Sequence, residues 1–166
     1  MRMHGWGRGT SAALALGLLL VLGGCGTEKE EPKMGVAQAQ RNADLLRQGY
    51  ERFAKGDVPG ALALFDDSIV FHVPGASQLG GDHAGKAAVG AVMRKFREIS
   101  GGTFKLQPTQ VLTNDSYGAV VTKASATRNG RTIAEQPVQL WSFQDGEPVE
   151  LWLYPQDQRA FDEFWS

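Results

Sequence analysis

The chain has 166 residues, 42% of them hydrophobic and 21% charged, with a formal net charge of -1; that length holds one packed domain plus a targeting segment and leaves no room for two full domains. Setting aside Arg2 and Arg8 at the N-terminus leaves 15 basic side chains (17 minus 2) against 18 acidic ones, a mildly acidic remainder. With no basic run or stripe in it, nucleic acid is excluded as a partner.

Residues 1–24 read as a signal peptide. Arg2 and Arg8 form a positive start, Ser11 to Leu22 is an apolar run too short for the ~20 residues of a membrane span, and Leu22-Gly23-Gly24-Cys25 follows. That ending resembles the bacterial lipobox, which implies cleavage before Cys25 and diacylation of that residue. Cys25 is the single cysteine, so no disulfide forms within the chain. Residues 25–37 are charged and poor in bulky apolar groups, as expected of a flexible tether. The folded domain is expected over 38–166 as an α+β barrel, in a lipid-anchored protein of the cell envelope facing outside the cytoplasm.

From Ala37 to Lys55, Leu46, Tyr50 and Phe53 recur at helical spacing, and Gly56 supplies the stop. Asp57 caps a short second helix over Pro59 to Phe65. Ser68 to Val73 is a strand whose Ile69, Phe71 and Val73 face one way, while Val70 and His72 face the other. A glycine-rich loop carrying Asp82 and His83 follows it. Val89, Val92, Met93, Phe96 and Ile99 then mark a third helix, ended by Gly101-Gly102.

Beyond Thr103 the pattern is a four-stranded antiparallel meander punctuated by Asn114-Asp115, Asn129-Gly130 and Asp145-Gly146. Asp157 caps a last short helix with Phe161, Phe164 and Trp165 on one side. A two-residue turn at Asp145-Gly146 sets Gln139 opposite Trp152 and Trp141 opposite Glu150, so that Gln139, Trp141, Trp152 and Tyr154 share a face. Val138, Leu140, Val149, Leu151 and Leu153 then share the other. The Asn129-Gly130 turn sets Val120 opposite Gln139 and Val121 opposite Val138. An aromatic face with polar tips suits a pocket wall, and the aliphatic face suits a partner surface; with the faces exchanged, the aliphatic side packs the helices instead.

Phe71-His72-Val73-Pro74-Gly75, Leu79 to Lys86, and Asp145-Gly146 through Leu151-Trp152 to Phe161-Asp162-Glu163-Phe164-Trp165 together resemble the SnoaL-like branch of the nuclear transport factor two-like superfamily, related to polyketide cyclases and ketosteroid isomerases. The resemblance covers about Gln38 to Ser166. It implies an α+β fold with a cone-shaped, curved antiparallel sheet wrapped by N-terminal helices and closed by a short C-terminal helix. It also implies a pocket inside the cone, a homodimer through the outer sheet face, and neither metal nor organic cofactor. His72 stands nearest the base position of the isomerase-like members, Tyr50 beside the tyrosine position and Gln139 at the acid position.

The candidate ligand pocket is therefore Tyr50, His72, Gln139, Trp141, Trp152 and Tyr154. His72, with a ring that titrates near neutrality, is the candidate general base, and Gln139 and Tyr50 the hydrogen-bond donors to a developing oxyanion. Two functions stand open: binding of a small, largely apolar molecule, or a cofactor-independent isomerase, cyclase or lyase using His72. His72, Asp82 and His83 lack the paired spacing of metal ligands on one element, so no metal site is assigned.

Overall fold

A computed structural model describes residues 34–166, so the leader, Cys25 and the tether up to residue 33 lie outside the described residues. Helix α1 spans Met34–Ala54, starting before the expected Ala37, because nothing between Pro32 and Gly56 forbids it. Gly56, at φ +81°, closes it, and the Asp57 N–H donates to the Arg52 carbonyl at 2.9 Å. Asp57 then accepts from the Gly60 N–H and opens α2, Val58–Leu62.

Strand β1, Val70–Val73, pairs antiparallel with β2, Gly81–Ala84, where the sequence reading expected only a loop. Gly81, Asp82 and His83 carry little strand propensity, and pairing with β1 overrides it. Helix α3 follows at once, Gly85–Ile99. The remaining strands are β3 (Lys105–Thr113), β4 (Tyr117–Arg128), β5 (Arg131–Glu135), β6 (Val138–Gln144) and β7 (Glu147–Tyr154), with α4, Gln158–Trp165, last. The C-terminal helix is capped as expected, Asp157 accepting from the Ala160 N–H at 3.0 Å.

The sheet runs β2-β1-β7-β6-β4-β3. It is mixed, since β1 lies parallel to β7, and it is not closed into a barrel: β2 and β3 remain as edges. The expected all-antiparallel sheet fails at that one non-local pairing. The expected four-stranded meander has five strands because the long β4 pairs with β5 through its C-terminal half and with β6 through its N-terminal half. Pro137 separates β5 from β6, having no N–H to donate, while its carbonyl accepts from the Thr122 N–H at 3.0 Å. Asn129 and Gly130 both have positive φ, as do Asp145 and Gly146, which is the backbone that tight two-residue hairpins require. Irregularities at Pro108/Gln110 and Ser142/Phe143 add curvature.

The helices pack on the concave face. Leu46 and Tyr50 of α1, Val89 and Phe96 of α3, and Phe161 and Trp165 of α4 meet Phe71, Val120, Trp141 and Leu151 in one core. Trp165 is 1% exposed and sets its ring against Phe96, Phe104, Phe161 and Phe164 at centroid distances of 4.9 to 6.2 Å.

Candidate functional site in the cone

Which strand residues line the cone is decided by register. The Asn129-Gly130 turn fixes Val120 opposite Gln139 and Val121 opposite Val138, as the turn chemistry predicts. The Asp145-Gly146 hairpin begins in the expected register, with Gln144 opposite Glu147, and then slips by one residue at Ser142/Phe143. Gln139 accordingly faces Leu153, Trp141 faces Leu151, and Trp152 faces Leu140. The slip sits beside Pro148, whose carbonyl accepts from the Asp66 N–H at 3.0 Å, while the Phe143 N–H donates to the Ser116 carbonyl at 2.8 Å. A one-residue slip moves every side chain beyond it to the other face. Trp152 and Tyr154 therefore stand on the outer face with Val138 and Leu140, a correction to the shared face expected from the sequence.

The concave face brings together Tyr50, Gln139 and Trp141, which are 6%, 6% and 4% exposed. The Tyr50 hydroxyl donates to Gln139 Oε1 and accepts from Trp141 Nε1 at 3.3 Å, and the Tyr50 and Trp141 rings meet edge to face at 6.3 Å. Burial pushes the Tyr50 hydroxyl far above its ordinary pKa, only partly offset by the Trp141 hydrogen bond, so it remains a proton donor. With Gln139 Oε1 taken by Tyr50, the amide Nε2 is the end of Gln139 available to a guest.

These three groups border a cavity of about 60 Å³ whose other walls include Phe53, Met93, Phe96, Phe104, Leu106 and Trp165. That space is well below the ~150 Å³ that takes benzene. A guest of more than a few heavy atoms must displace a wall, and Met93, unbranched with three rotatable bonds, is the wall most easily moved.

A fourth polar group in the wall escaped the sequence reading. Glu135, half-buried at the end of β5, lines the same cavity, and its Oε2 is enclosed without a hydrogen-bond partner. Burial raises its pKa, a backbone hydrogen bond from Gln156 works against that, and the nearby Asp157 carboxylate adds to it. The signal was available: Asn129-Gly130 also sets Glu135 opposite Ala124, on the same face as Gln139 opposite Val120.

His72 lies outside the cone. It pairs with Trp152 across the parallel β1–β7 ladder, and the two rings stack at 5.1 Å and 10°. Its Nδ1 is 2.8 Å from Asp82 Oδ1 on β2, while Nε2 is enclosed without a hydrogen-bond partner, 3.9 Å from Glu150 Oε1 on β7. Asp82, which local spacing gave no reason to pair with His72, reaches it because β2 forms. Thus His72, Trp152 and Tyr154 occupy the convex face, and Tyr50, Gln139 and Trp141 the cone. His83 Nε2 donates to the Leu79 carbonyl at 2.9 Å, and Lys86 pairs with Asp67 at 2.6 Å, both holding the β1–β2–α3 corner.

Comparison with known proteins agrees with this architecture. A protein of Mycobacterium tuberculosis described as uncharacterized is 27% identical over 124 residues, which is 74% of this chain and 95% of that one. The structure of Bal32a, from a soil-derived mobile gene cassette, superposes with a TM-score of 0.75 at 32% identity, covering 78% of this chain and 99% of that one. A nuclear transport factor two-like protein of Burkholderia xenovorans shares the fold, with a TM-score of 0.66 at 21% identity over 77% of this chain and 98% of its own. The SnoaL-like domain profile matches residues 46–151, from the middle of α1 through β7, and this chain belongs to the SnoaL-like domain family.

Proposed function

We propose that the cone binds a small, largely apolar molecule and receives its one polar acceptor at Gln139 Nε2. The observation that carries this reading is the Tyr50, Gln139 and Trp141 network set into an otherwise apolar cavity wall. Apolar walls with a few fixed polar groups are what small-molecule sites require. The alternative of a cyclase or isomerase based on His72 has less support, because that ring stands on the convex face against Trp152.

Saturation-transfer NMR with cyclopentanone as the probe tests the reading. Transfer is expected for the native chain, reduced roughly 2- to 10-fold in affinity by Gln139→Leu, since a neutral hydrogen bond contributes ~0.5–1.5 kcal/mol. Ala124→Leu, which fills the cavity from β4, should abolish it. Undiminished transfer in Ala124→Leu contradicts a site inside the cone.

The same proposal holds the domain at the envelope by a lipid on Cys25, facing outside the cytoplasm, with residues 26–33 as tether. Cys25→Ser should release the protein from membranes. The convex face supports pairing of two copies: Leu112, Tyr117 and Tyr154 are 62%, 53% and 52% exposed there, beside Val138, Leu140 and Trp152. Sedimentation should then report a dimer that Tyr154→Glu dissociates.

A further inference from the structure

The tip of the β4–β5 hairpin joins a reactive dipeptide to a cluster of cations. Asn129 and Gly130 form its two-residue turn, both at positive φ and both exposed. In an asparagine–glycine pair the next backbone nitrogen reaches the side-chain amide carbon with little hindrance, because glycine has no side chain to block the approach. The space around Gly130 is open, and a Cβ built there would meet nothing within 4 Å. The chain holds three asparagines, and the other two are tied down. Asn42 is 1% exposed, accepts from Gln38 on Oδ1 and donates from Nδ2 to the Asn114 and Asp115 carbonyls. Asn114 Oδ1 accepts from the Ser116 and Tyr117 N–H groups at 2.8 and 2.6 Å, and Asp115, which carries a side chain, follows it. The turn at Asp145-Gly146 has the same backbone, but the Gln38 amide lies against Gly146, 3.1 Å from where its Cβ would stand.

Two arginines close the turn. Arg128 stands directly opposite Arg131, and like charges in that position weaken a hairpin. Each is held in place by α4: Arg128 Nη1 donates to the Phe164 carbonyl at 2.9 Å and Arg131 Nη1 to the Glu163 carbonyl at 3.3 Å. Strand β5 lies off the main strand order and pairs with β4, so its turn is free to open locally without disturbing the rest of the sheet. Asn129 also lines a groove with Arg94, Lys95 and Arg128, in which Glu98 is the one acid. A carboxylate formed at residue 129 therefore stands among cations.

We infer that Asn129 is a self-modification site, where the turn converts its own asparagine to aspartate and isoaspartate, and that Arg128 and Arg131 promote the conversion. The Gly130 N–H gives its proton to solvent base, and the nitrogen attacks Asn129 Cγ. A C–N bond forms, the Cγ–Nδ2 bond breaks, and Nδ2 leaves as ammonia with a proton from water, closing a five-membered imide. Water then opens the imide. Attack at Cγ gives aspartate in the original backbone, and attack at the Asn129 main-chain carbonyl gives isoaspartate, whose backbone runs through Cβ and Cγ. Solvent water is the sole co-reactant. Negative charge builds on the attacking nitrogen and then on oxygen, and the arginines meet it. The aspartate product keeps the hairpin, since Asp145-Gly146 makes the same turn. Isoaspartate adds a carbon to the backbone that a two-residue turn must fit, and so loosens the Arg128–Arg131 end of the ladder.

The test holds the folded full chain in mildly alkaline buffer made with heavy-oxygen water and follows its peptides by mass spectrometry, with isoaspartate scored by enzymatic methylation. The peptide carrying Asn129 should take up heavy oxygen and the amide-to-acid mass change at least about 10-fold faster than those carrying Asn42 and Asn114, whose amides are freed only by wider unfolding. Arg131→Gln should slow the conversion roughly 2- to 5-fold, the scale of an exposed charge interaction. Added salt should slow it in the native chain by screening the same charges. Conversion of Asn129 no faster than that of Asn114 overturns the assignment. A native rate in Arg131→Gln overturns the role given to the arginines, as does a rate insensitive to salt.

Discussion

Tyr50→Phe removes a single oxygen from the network that defines the site. That oxygen serves two partners, Gln139 Oε1 and Trp141 Nε1, both on residues less than a tenth exposed. A buried polar atom left without a partner costs ~1–3 kcal/mol. The Trp141 bond, at 3.3 Å, lies at the long end and counts toward the lower figure. Two orphaned groups then cost about 3 kcal/mol, from which the relief of no longer burying the hydroxyl subtracts about 1 kcal/mol, leaving a net loss of about 2 kcal/mol. Denaturant unfolding should show it as a lower midpoint at unchanged slope. Gln139→Leu alone strands the Tyr50 hydroxyl without an acceptor, whereas the double variant strands only the Trp141 N–H. The two losses should therefore fall short of additivity by at least ~1 kcal/mol. Additive losses, or a Tyr50→Phe protein as stable as the native one, would show that the three groups are neighbours and not a network.

Three other outcomes follow from the same geometry. Glu135 has a raised pKa in the folded chain, so the folded state holds that proton more tightly, and stability falls as pH rises from the ordinary glutamate value of ~4.3 to the raised one. Glu135→Gln should accordingly melt at a higher temperature than the native protein above that window and at the same temperature below it; a variant less stable at neutral pH would contradict a desolvated carboxylate. Trp165→Ala, which leaves Phe96, Phe104, Phe161 and Phe164 without their shared ring, should cost ~3–5 kcal/mol in chemical unfolding, and a loss below about 1 kcal/mol would mean that α4 is not docked. His72→Ala should leave ketone binding within 2-fold of native while loosening the β2–β1–β7 edge, seen as faster amide exchange at Phe71 and His83; a large loss of binding would return His72 to the site.

What could be read from the chain was what is local. Asp57 and Asp157 as caps, Gly56 as a stop, and the Asn129-Gly130 and Asp145-Gly146 turns are set by a few adjacent residues, and each lies where its chemistry puts it. The Asn129-Gly130 register holds over both β5 and β6 because the break at Pro137 costs no extra residue. The Ser142/Phe143 slip was harder to read, since the backbone partners beside it, Ser116 for the Phe143 N–H and Asp66 for the Pro148 carbonyl, come from other segments of the chain. That slip alone carried Trp152 and Tyr154 to the convex face. The alternation of β1 had already set His72 away from Phe71 and Val73, and those two residues are indeed 3% exposed in the core. Grouping His72 with Gln139 rested on the family resemblance, and the unslipped hairpin added Trp152 and Tyr154 to them. The parallel β1–β7 pairing and strand β2 are non-local, and periodicity within one segment carries no trace of either.

The sheet has two faces with a tryptophan on each, and their indole N–H groups report separately which one binds. Trp141 Nε1 donates to Tyr50 inside the cone, while Trp152 stacks on His72 outside it. In a nitrogen-15 NMR titration with cyclopentanone, the Trp141 indole resonance should move along with the Gln139 side-chain amide, and the Trp152 indole should stay in place. Movement of Trp152 with Trp141 unchanged would place the site on the convex face and contradict a binding cone.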